Sequence, residues 1–170
     1  MDYAFERISS EHDLFGFTCG VDDLDNWLAK EALPAQTGGL SVTHVSVDPD
    51  DEYRSVLGYF TLCPTTVHEA GGGSRDDGYP GYLLCKLARH LDLKGTNHGD
   101  LLLSEAIART VEAADAAGGR FLVVDPMVTG DPAKDQKLRA FYRDANFKDI
   151  DGTDRMSIQI QTLRSAFRSA

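Results

Sequence analysis

Residues 82–117 read YLLCKLARHLDLKGTNHGDLLLSEAIARTVEAADAA, and the rest of the chain is arranged around this stretch. Its first part is apolar enough for a buried strand, its middle is a short polar loop with Gly95 and Gly99, and its last part repeats apolar residues at three- and four-residue spacing, as an amphipathic helix does. A strand, a glycine-containing loop and a helix outline a phosphate site, because the first turn of a helix has unpaired N–H groups and a partial positive charge.

The glycine spacing alone leaves a simpler interpretation open, since two glycines also suit a plain tight connection between a strand and a helix. Two well-known phosphate loops do not fit. A P-loop needs a Lys-Ser/Thr pair at the start of its helix, and Gly99 is followed here by Asp100 and Leu101. The dinucleotide fingerprint needs three glycines, and Asn97 stands between only two.

Length and composition predict one globular domain, residues 1–170, with 42% hydrophobic content and room for a sizeable core. No apolar run is long enough to span a membrane, and the N-terminal MDYAFERISS lacks the basic and apolar regions of a signal peptide. We therefore expect a soluble, cytoplasmic protein. Three cysteines without metal-ligand spacing indicate a reducing compartment and no structural zinc, and nothing in the sequence requires a metal.

The formal net charge of -10 argues against nucleic-acid binding through the overall field of the protein. The net charge does not exclude a local basic groove, because Lys86, Arg89 and Lys94 are concentrated on the central strand and its loop, with Arg139 and Arg143 on a later helix. A solvated surface would give the same pattern.

The first half of the chain predicts a strand, a helix and a hairpin. The strand covers residues 3–8, Phe15 and Phe17 in the next loop are expected to fill the core, and a helix begins at Asp22. Pro34 and the glycines at 38 and 39 should end that helix. Alternating residues then predict an antiparallel hairpin from segments 40–47 and 55–63.

The second half contains the central strand and helix and four further elements. Residues 63–81 are expected to form a long loop in which His68 and Glu69 could contact a substrate. The expected elements after the central helix are a buried strand at 120–124, a helix at 134–145 and strands at 147–150 and 155–161. The resulting order, β, α, β, β, β, α, β, α, β, β, favours an α/β fold with a mixed sheet.

Several motifs resemble the GNAT acyl-CoA N-acetyltransferases. The segment KGTNHG at 94–99 is similar to their pyrophosphate loop, Arg/Gln-x-x-Gly-x-Gly/Ala, and FYRDANF at 141–147 is similar to a helix with a Phe-Tyr pair before Gly-Phe. Segments FTCGVDDLDNWL at 17–28, LGYFTL at 57–62 and LLCKLARH at 83–90 resemble the GNAT branch of acetyltransferase toxins from bacterial type II toxin–antitoxin systems. The resemblance covers nearly the whole chain.

Three positions depart from the motifs of the family. Asn97 replaces the first glycine of the loop and Asn146 the glycine before Phe147, so both are expected to have left-handed backbone, which Asn tolerates. Lys94 replaces Arg or Gln and keeps the charge without the planar fork.

The resemblance implies a GNAT-like mixed, mostly antiparallel sheet with splayed central parallel strands, flanked by helices. It implies acetyl-CoA as cosubstrate, with the N–H of Leu87 polarising the thioester carbonyl and Tyr142 giving a proton to the departing thiolate. The cofactor-binding residues it implies are Leu87, Ala88, Arg89, Lys94, Gly95, Thr96, Asn97, His98, Gly99 and Asp100. Lys86, Arg89 and His68 are the candidates for substrate binding, and no side chain stands out as general base.

The resemblance also implies an acceptor, the amino group of aminoacyl-tRNA, and a ribbon-helix-helix antitoxin as partner. Two alternatives remain open at this point. The acidity of the chain favours a small cationic amine or a protein amine as acceptor, and Asn97 favours an acyl-CoA-binding protein without turnover. A homodimer is expected from the family, with Phe167 in the polar C-terminal tail as a contact.

Overall fold

The computed structural model describes residues 2–68 and 78–168, and of residues 167 and 168 only the backbone is described. The chain divides into two compact units. The first comprises Met1–Cys63 and Cys85–Ala108, and the second comprises Pro64–Leu84 and Arg109–Ala170.

The order of elements is the predicted one with an additional helix at the end. The strands are β1 (Ala4–Arg7), β2 (Val42–Val47), β3 (Gly58–Val67), β4 (Tyr79–Arg89), β5 (Phe121–Val124), β6 (Lys148–Asp149) and β7 (Met156–Gln159). The helices are α1 (Asp22–Asn26), α2 (Ala32–Thr37), α3 (His98–Ala117), α4 (Pro132–Asp144) and α5 (Ile160–Arg168), with a π-helical turn at Trp27–Glu31 and a 3-10 turn at Leu91–Leu93.

The strand order is β1-β2-β3-β4-β5-β7-β6. Strands β4 and β5 are parallel, whereas β1–β2, β2–β3, β5–β7 and β6–β7 are antiparallel pairs. This confirms the expected mixed, mostly antiparallel sheet with flanking helices. Pairing of β4 with β5 runs from Gly81–Phe121 to Leu84–Val124, while β4 continues as a strand to Arg89.

The core of the first unit lies between the strands β1 to β3 and the helical segment 22–37. Leu28, Val45 and Tyr59 are almost completely buried there, and the Tyr59 hydroxyl donates to the Leu24 carbonyl at 2.7 Å. Trp27 Nε1 lies 3.3 Å from Thr61 Oγ1, which ties the π-helical turn to β3.

The second unit has β5 at its centre. All four residues of β5 are buried, as expected for a short apolar strand covered on both faces. In the same unit, Met156 and Ile160 are completely buried, and β7 runs directly into α5.

Four details of the sequence prediction were wrong. Pro34 lies inside α2, directly after the π-helical turn at Trp27–Glu31, which interrupts the regular α-helical hydrogen bonds just before it. Strand β3 extends to Val67 and β4 begins at Tyr79, so both ends of the expected loop are strand. Phe17 packs on the core, but Phe15 is 95% exposed at a tight turn. The strand expected to reach residue 161 ends at Gln159, and α5 follows.

Two expectations fall on residues outside the described part. Glu69 lies in the segment 69–77, and the side chain of Phe167 belongs to the end of the chain. In the described ranges, no helix is both long and apolar enough to cross a membrane.

Candidate functional site

The last residues of β4 present backbone N–H groups on the edge that faces away from β3. His90 N–H donates to the Leu57 carbonyl at 2.8 Å, on the side of β3. Because backbone groups alternate along a strand, the N–H groups of Leu87 and Arg89 point to the other edge. Pairing with β5 ends at Leu84, so Leu87 has no strand partner on that edge in the described structure. Its N–H is therefore available to a ligand.

The loop that follows β4 is held at both ends. Leu91 N–H donates to the Thr18 carbonyl at 2.9 Å, and the Thr96 hydroxyl donates to the Leu93 carbonyl at 2.7 Å. Gly95 has φ +84 and no atom within 4 Å of the position that a Cβ would take. The loop thus leaves open space beside Gly95.

The first turn of α3 offers donors of the kind expected for a phosphate site. Leu101 N–H donates to the Asn97 carbonyl at 3.1 Å, and His98 N–H lies 3.2 Å from Thr96 Oγ1. Within the described residues, the N–H groups of Gly99 and Asp100 have no acceptor. These two groups, at the positive end of a 20-residue helix, are suited to an anion.

Of the two asparagines expected in left-handed backbone, only one has it. Asn146 has φ 70, which confirms the prediction for the end of α4. Asn97 has no positive φ, because it precedes the first residue of α3 and its carbonyl already accepts a helical hydrogen bond. The loop therefore forms without the backbone conformation for which the family uses glycine at this position.

The side chain of His98 points into the protein. It is completely buried, with Nε2 2.9 Å from Ser46 Oγ. Burial, followed by the nearby positive charge of Arg89, lowers the pKa of His98 to about 4. His98 can therefore contribute only its backbone to a bound ligand, and its imidazole is neutral at physiological pH.

The basic residues do not form one cluster. Lys86 Nζ lies 5.3 Å from the centre of the Trp27 ring, and Lys86 and Arg89 face opposite sides of β4 because they are three residues apart. Arg143 Nη2 lies 2.9 Å from Asp149, to which Arg139 is also bound. The two arginines of α4 thus share one carboxylate, which the sequence pattern did not indicate.

The cations at the end of β4 have no such partner. No carboxylate forms an ion pair with Lys86, Arg89 or Lys94 among the described residues. Of the five basic residues singled out from the sequence, those without a carboxylate partner in the described ranges lie on this strand and its loop.

Tyr142 is the buried residue of α4, a helix that begins after an Asp131 cap. Its ring packs edge-on against Phe141 and Phe147, with centroids at 5.2 and 5.6 Å. Burial raises the pKa of Tyr142 to about 12. The hydroxyl, which forms no hydrogen bond within the described ranges, is therefore a protonated donor at neutral pH.

The remaining candidates are less well defined. His68 is exposed at the end of β3, and a Cβ on Gly78 would lie 2.9 Å from its Nδ1, so it packs on the start of the next strand. In the part of the chain that is described, no three His, Cys, Asp or Glu side chains are arranged to hold a metal ion.

Comparison with known proteins finds relatives that cover most of the chain. The chain is 31% identical over 159 residues to a tRNA-acetylating toxin of Mycobacterium tuberculosis (strain ATCC 25618 / H37Rv), covering 91% of this chain and 89% of the relative. No family model matches the chain.

Solved structures of toxins have the same fold. A tyrosine-to-phenylalanine mutant of AtaT, bound to the C-terminus of the antitoxin AtaR and acetyl-CoA, is 21% identical with a TM-score of 0.82 and coverage of 98% and 99% of the two chains. AtaT complexed with acetyl-methionyl-tRNAfMet is 21% identical with a TM-score of 0.83 and the same coverage. From the fold, the residues of the β4–α3 loop and the relative in M. tuberculosis, we conclude that this chain belongs to the tRNA-acetylating toxins, the GNAT-fold acetyltransferase toxins of toxin–antitoxin systems.

Proposed function

We propose that this chain, residues 1–170 as a single acetyltransferase domain, transfers the acetyl group of acetyl-CoA to the amino group of an aminoacyl-tRNA and is the toxin of a toxin–antitoxin pair. The observation that carries the proposal is the first turn of α3, where the N–H groups of Gly99 and Asp100 have no acceptor among the described residues. Lys94, in the loop that leads into this turn, forms no ion pair in the same part of the chain. The tRNA-acetylating relative supports the same reaction.

The residues of the β4–α3 loop fit the diphosphate of acetyl-CoA. Gly95 leaves space for its approach, and Lys94 and the N–H groups of Gly99 and Asp100 supply positive potential. The carboxylate of Asp100 would repel a phosphate, so this residue acts through its backbone. Ala88, Arg89, Thr96, Asn97 and His98 complete the proposed contact surface, with His98 contributing only its backbone.

Bound acetyl-CoA supplies an activated acetyl thioester. The N–H of Leu87, on the open edge of β4, would donate to the carbonyl oxygen of that thioester and favour attack by an amine. Tyr142 would donate its proton to the departing sulfur, for which a buried, protonated phenol is suited. The ordinary pKa of a thiol, about 8.5, lies below that of this phenol, so Tyr142 would give up its proton only as it takes up the proton that the acetylated nitrogen loses.

The acceptor end of the tRNA would meet the cations of β4. Lys86 and Arg89 have no carboxylate partner among the described residues, so each can offer its charge to phosphates on its own face of β4, and His68 is a further proposed contact. This reaction would take place in the cytoplasm, where aminoacyl-tRNA is made. As its regulator we propose a ribbon-helix-helix antitoxin, in keeping with the antitoxin-bound structure of AtaT.

Calorimetric titration with acetyl-CoA tests the cofactor site. The wild type should bind with micromolar affinity, and Gly99→Glu should lose binding because a carboxylate would occupy the diphosphate position. Ser104→Glu, which adds the same charge at an exposed position of α3, is the matched control and should bind normally. Equal binding by the wild type and Gly99→Glu would exclude this site.

Incubation with acetyl-CoA and charged tRNA tests the acceptor. Mass spectrometry of the aminoacyl adenosine released by nuclease should show the addition of one acetyl group to the amino acid. A polyamine is the competing substrate, favoured by the net charge of -10. Acetylation of the polyamine and not of the tRNA would replace the proposed acceptor with a small cationic amine.

A further inference from the structure

His98, the first residue of α3, is anchored by its side chain to two strands. Its Nε2 lies 2.9 Å from Ser46 Oγ on β2, and the Ser46 hydroxyl lies 3.3 Å from the Gly58 carbonyl on β3. A hydroxyl has one proton, and the Gly58 carbonyl can only accept it. His98 therefore carries its hydrogen on Nε2 and donates it to Ser46, and the three residues form a directed chain of hydrogen bonds.

Gly58 permits the close approach of α3 to the sheet. A Cβ at this position would lie 2.8 Å from His98 Nε2 and 2.8 Å from Leu102 Cδ1. Both side chains are completely buried, so neither can turn outward to give way. On another side of the imidazole, the ring of Tyr3 packs edge-on with its centroid at 4.3 Å. The position of the first turn of α3 is thus fixed by contacts to His98.

Packing alone does not explain why a histidine, and not an apolar residue, occupies position 98. Its Nδ1 is buried without a hydrogen-bond partner in the described part of the chain. A buried lone pair without a donor costs free energy, whereas an apolar side chain of similar size would fill the same space without that cost. What a leucine could not supply is the hydrogen bond to Ser46, which holds the start of the helix at a defined height over β2.

We propose that His98 is a positioning residue for acetyl-CoA, acting through Ser46 and Gly58 to hold the first turn of α3 where its N–H groups meet the diphosphate. The inference rests on the proposed function. The donors of Gly99 and Asp100 follow His98 directly in the chain, so a displaced imidazole displaces them as well. Hydrogen bonds weaken steeply with distance and angle, so a small shift of this turn is enough to weaken phosphate binding.

Steady-state kinetics and calorimetry of four variants test the role. His98→Leu and Ser46→Ala should raise the KM and the Kd for acetyl-CoA by about tenfold, the equivalent of one or two weakened hydrogen bonds. At saturating acetyl-CoA, kcat should stay within about twofold of the wild type, because neither residue contacts the reacting atoms. His98→Gln, whose amide can donate to Ser46, should restore most of the affinity. Gly58→Ala should weaken binding without any change to His98 itself.

Val45→Ala is the matched control for loss of stability. Val45 is the neighbour of Ser46 on β2, is completely buried and faces the opposite side of the sheet. Its truncation should lower the stability of the fold and leave the KM for acetyl-CoA unchanged. If His98→Leu does not fold, the affinities of Ser46→Ala and Gly58→Ala for acetyl-CoA test the positioning role.

The outcomes separate the two proposals. A wild type that does not bind acetyl-CoA would overturn the proposed function and this role with it. A wild type that binds, together with normal affinity in the Ser46 and Gly58 variants or equal weakening in Val45→Ala, would overturn the positioning role alone.

Discussion

Tyr142 differs from an exposed tyrosine in keeping its proton far above neutral pH, because burial raises its pKa to about 12. As the proposed acid it should remain competent on the alkaline side of the pH–rate profile, with no loss of activity attributable to this group below about pH 11. Tyr142→Phe removes the proton and keeps the ring between Phe141 and Phe147. We expect kcat to fall by about 10²–10⁴-fold with the Kd for acetyl-CoA unchanged, measured by stopped assays and calorimetry. Wild-type turnover by this variant would assign the protonation of the sulfur to another donor or to water.

His98 makes the stability of the protein depend on pH. Its pKa is lowered from an ordinary 6.5 to about 4 in the folded state, so between these values the unfolded chain binds a proton that the folded chain does not. The free energy of unfolding should therefore fall by up to about 3 kcal/mol as the pH drops from 6.5 to 4, with no further loss from this group below pH 4. Urea titrations of the wild type and His98→Gln at pH 7 and pH 4.5 measure the difference. The same decrease in both proteins would show that other groups cause the acid sensitivity.

Helix α5 is held to the rest of its unit by a buried apolar side chain and by an ion pair at the surface. Leu163 is 6% exposed, whereas the neighbouring Arg164 forms an ion pair with Asp115 at the surface. Leu163→Ala should lower the free energy of unfolding by about 2–4 kcal/mol, because it leaves a cavity, and Arg164→Ala by less than about 1 kcal/mol, because water screens the exposed pair. Urea unfolding of the two variants measures both values. Equal losses would mean that the ion pair stabilises the helix as much as apolar packing does, which would contradict this expectation.

Helix α5 was not predicted from the sequence, whereas the longer elements were. The long amphipathic pattern of α3 and the alternation in β2 and β3 each extend over enough residues to identify an element, and the structure confirms them. Helix α5 follows β7 without a break, and its short apolar spacing from Ile160 to Leu163 is also compatible with a strand end or a turn.

The positions of the loop and of α3 could be predicted from the sequence. Contacts between side chains that are far apart in the sequence could not. The position of the loop at 94–99 and the end of α3 follow from local pattern. The pairing of Arg139 and Arg143 with Asp149 depends on how β6 lies beside α4, and the bond from His98 to Ser46 joins residues 52 apart in the chain. The hydrophobic periodicity of the sequence cannot predict such contacts, because they depend on tertiary packing.

The net charge of -10 means that the protein as a whole repels tRNA, which is also negatively charged. Acidic partners cancel several of its cations locally: Arg155 is bound to Asp125 at 2.8 Å and Arg164 to Asp115 at 2.7 Å. The cations without such partners in the described ranges include those of β4 and its loop. A negative protein with a few uncompensated cations in one region should approach tRNA slowly from most directions and bind it only there.

Salt dependence measures how many of these cations meet phosphates. At saturating acetyl-CoA, raising the salt from 50 to 200 mM should raise the KM for aminoacyl-tRNA, because each phosphate contact releases counterions. Lys86→Gln should reduce the slope of log KM against log salt by about 0.7–0.9 if Lys86 meets one phosphate of the tRNA. Arg155→Gln removes the same charge from a residue already paired with Asp125, so its slope should equal that of the wild type. If the two variants change the slope equally, the tRNA is held by the overall charge of the protein and not by the cations of β4 and its loop.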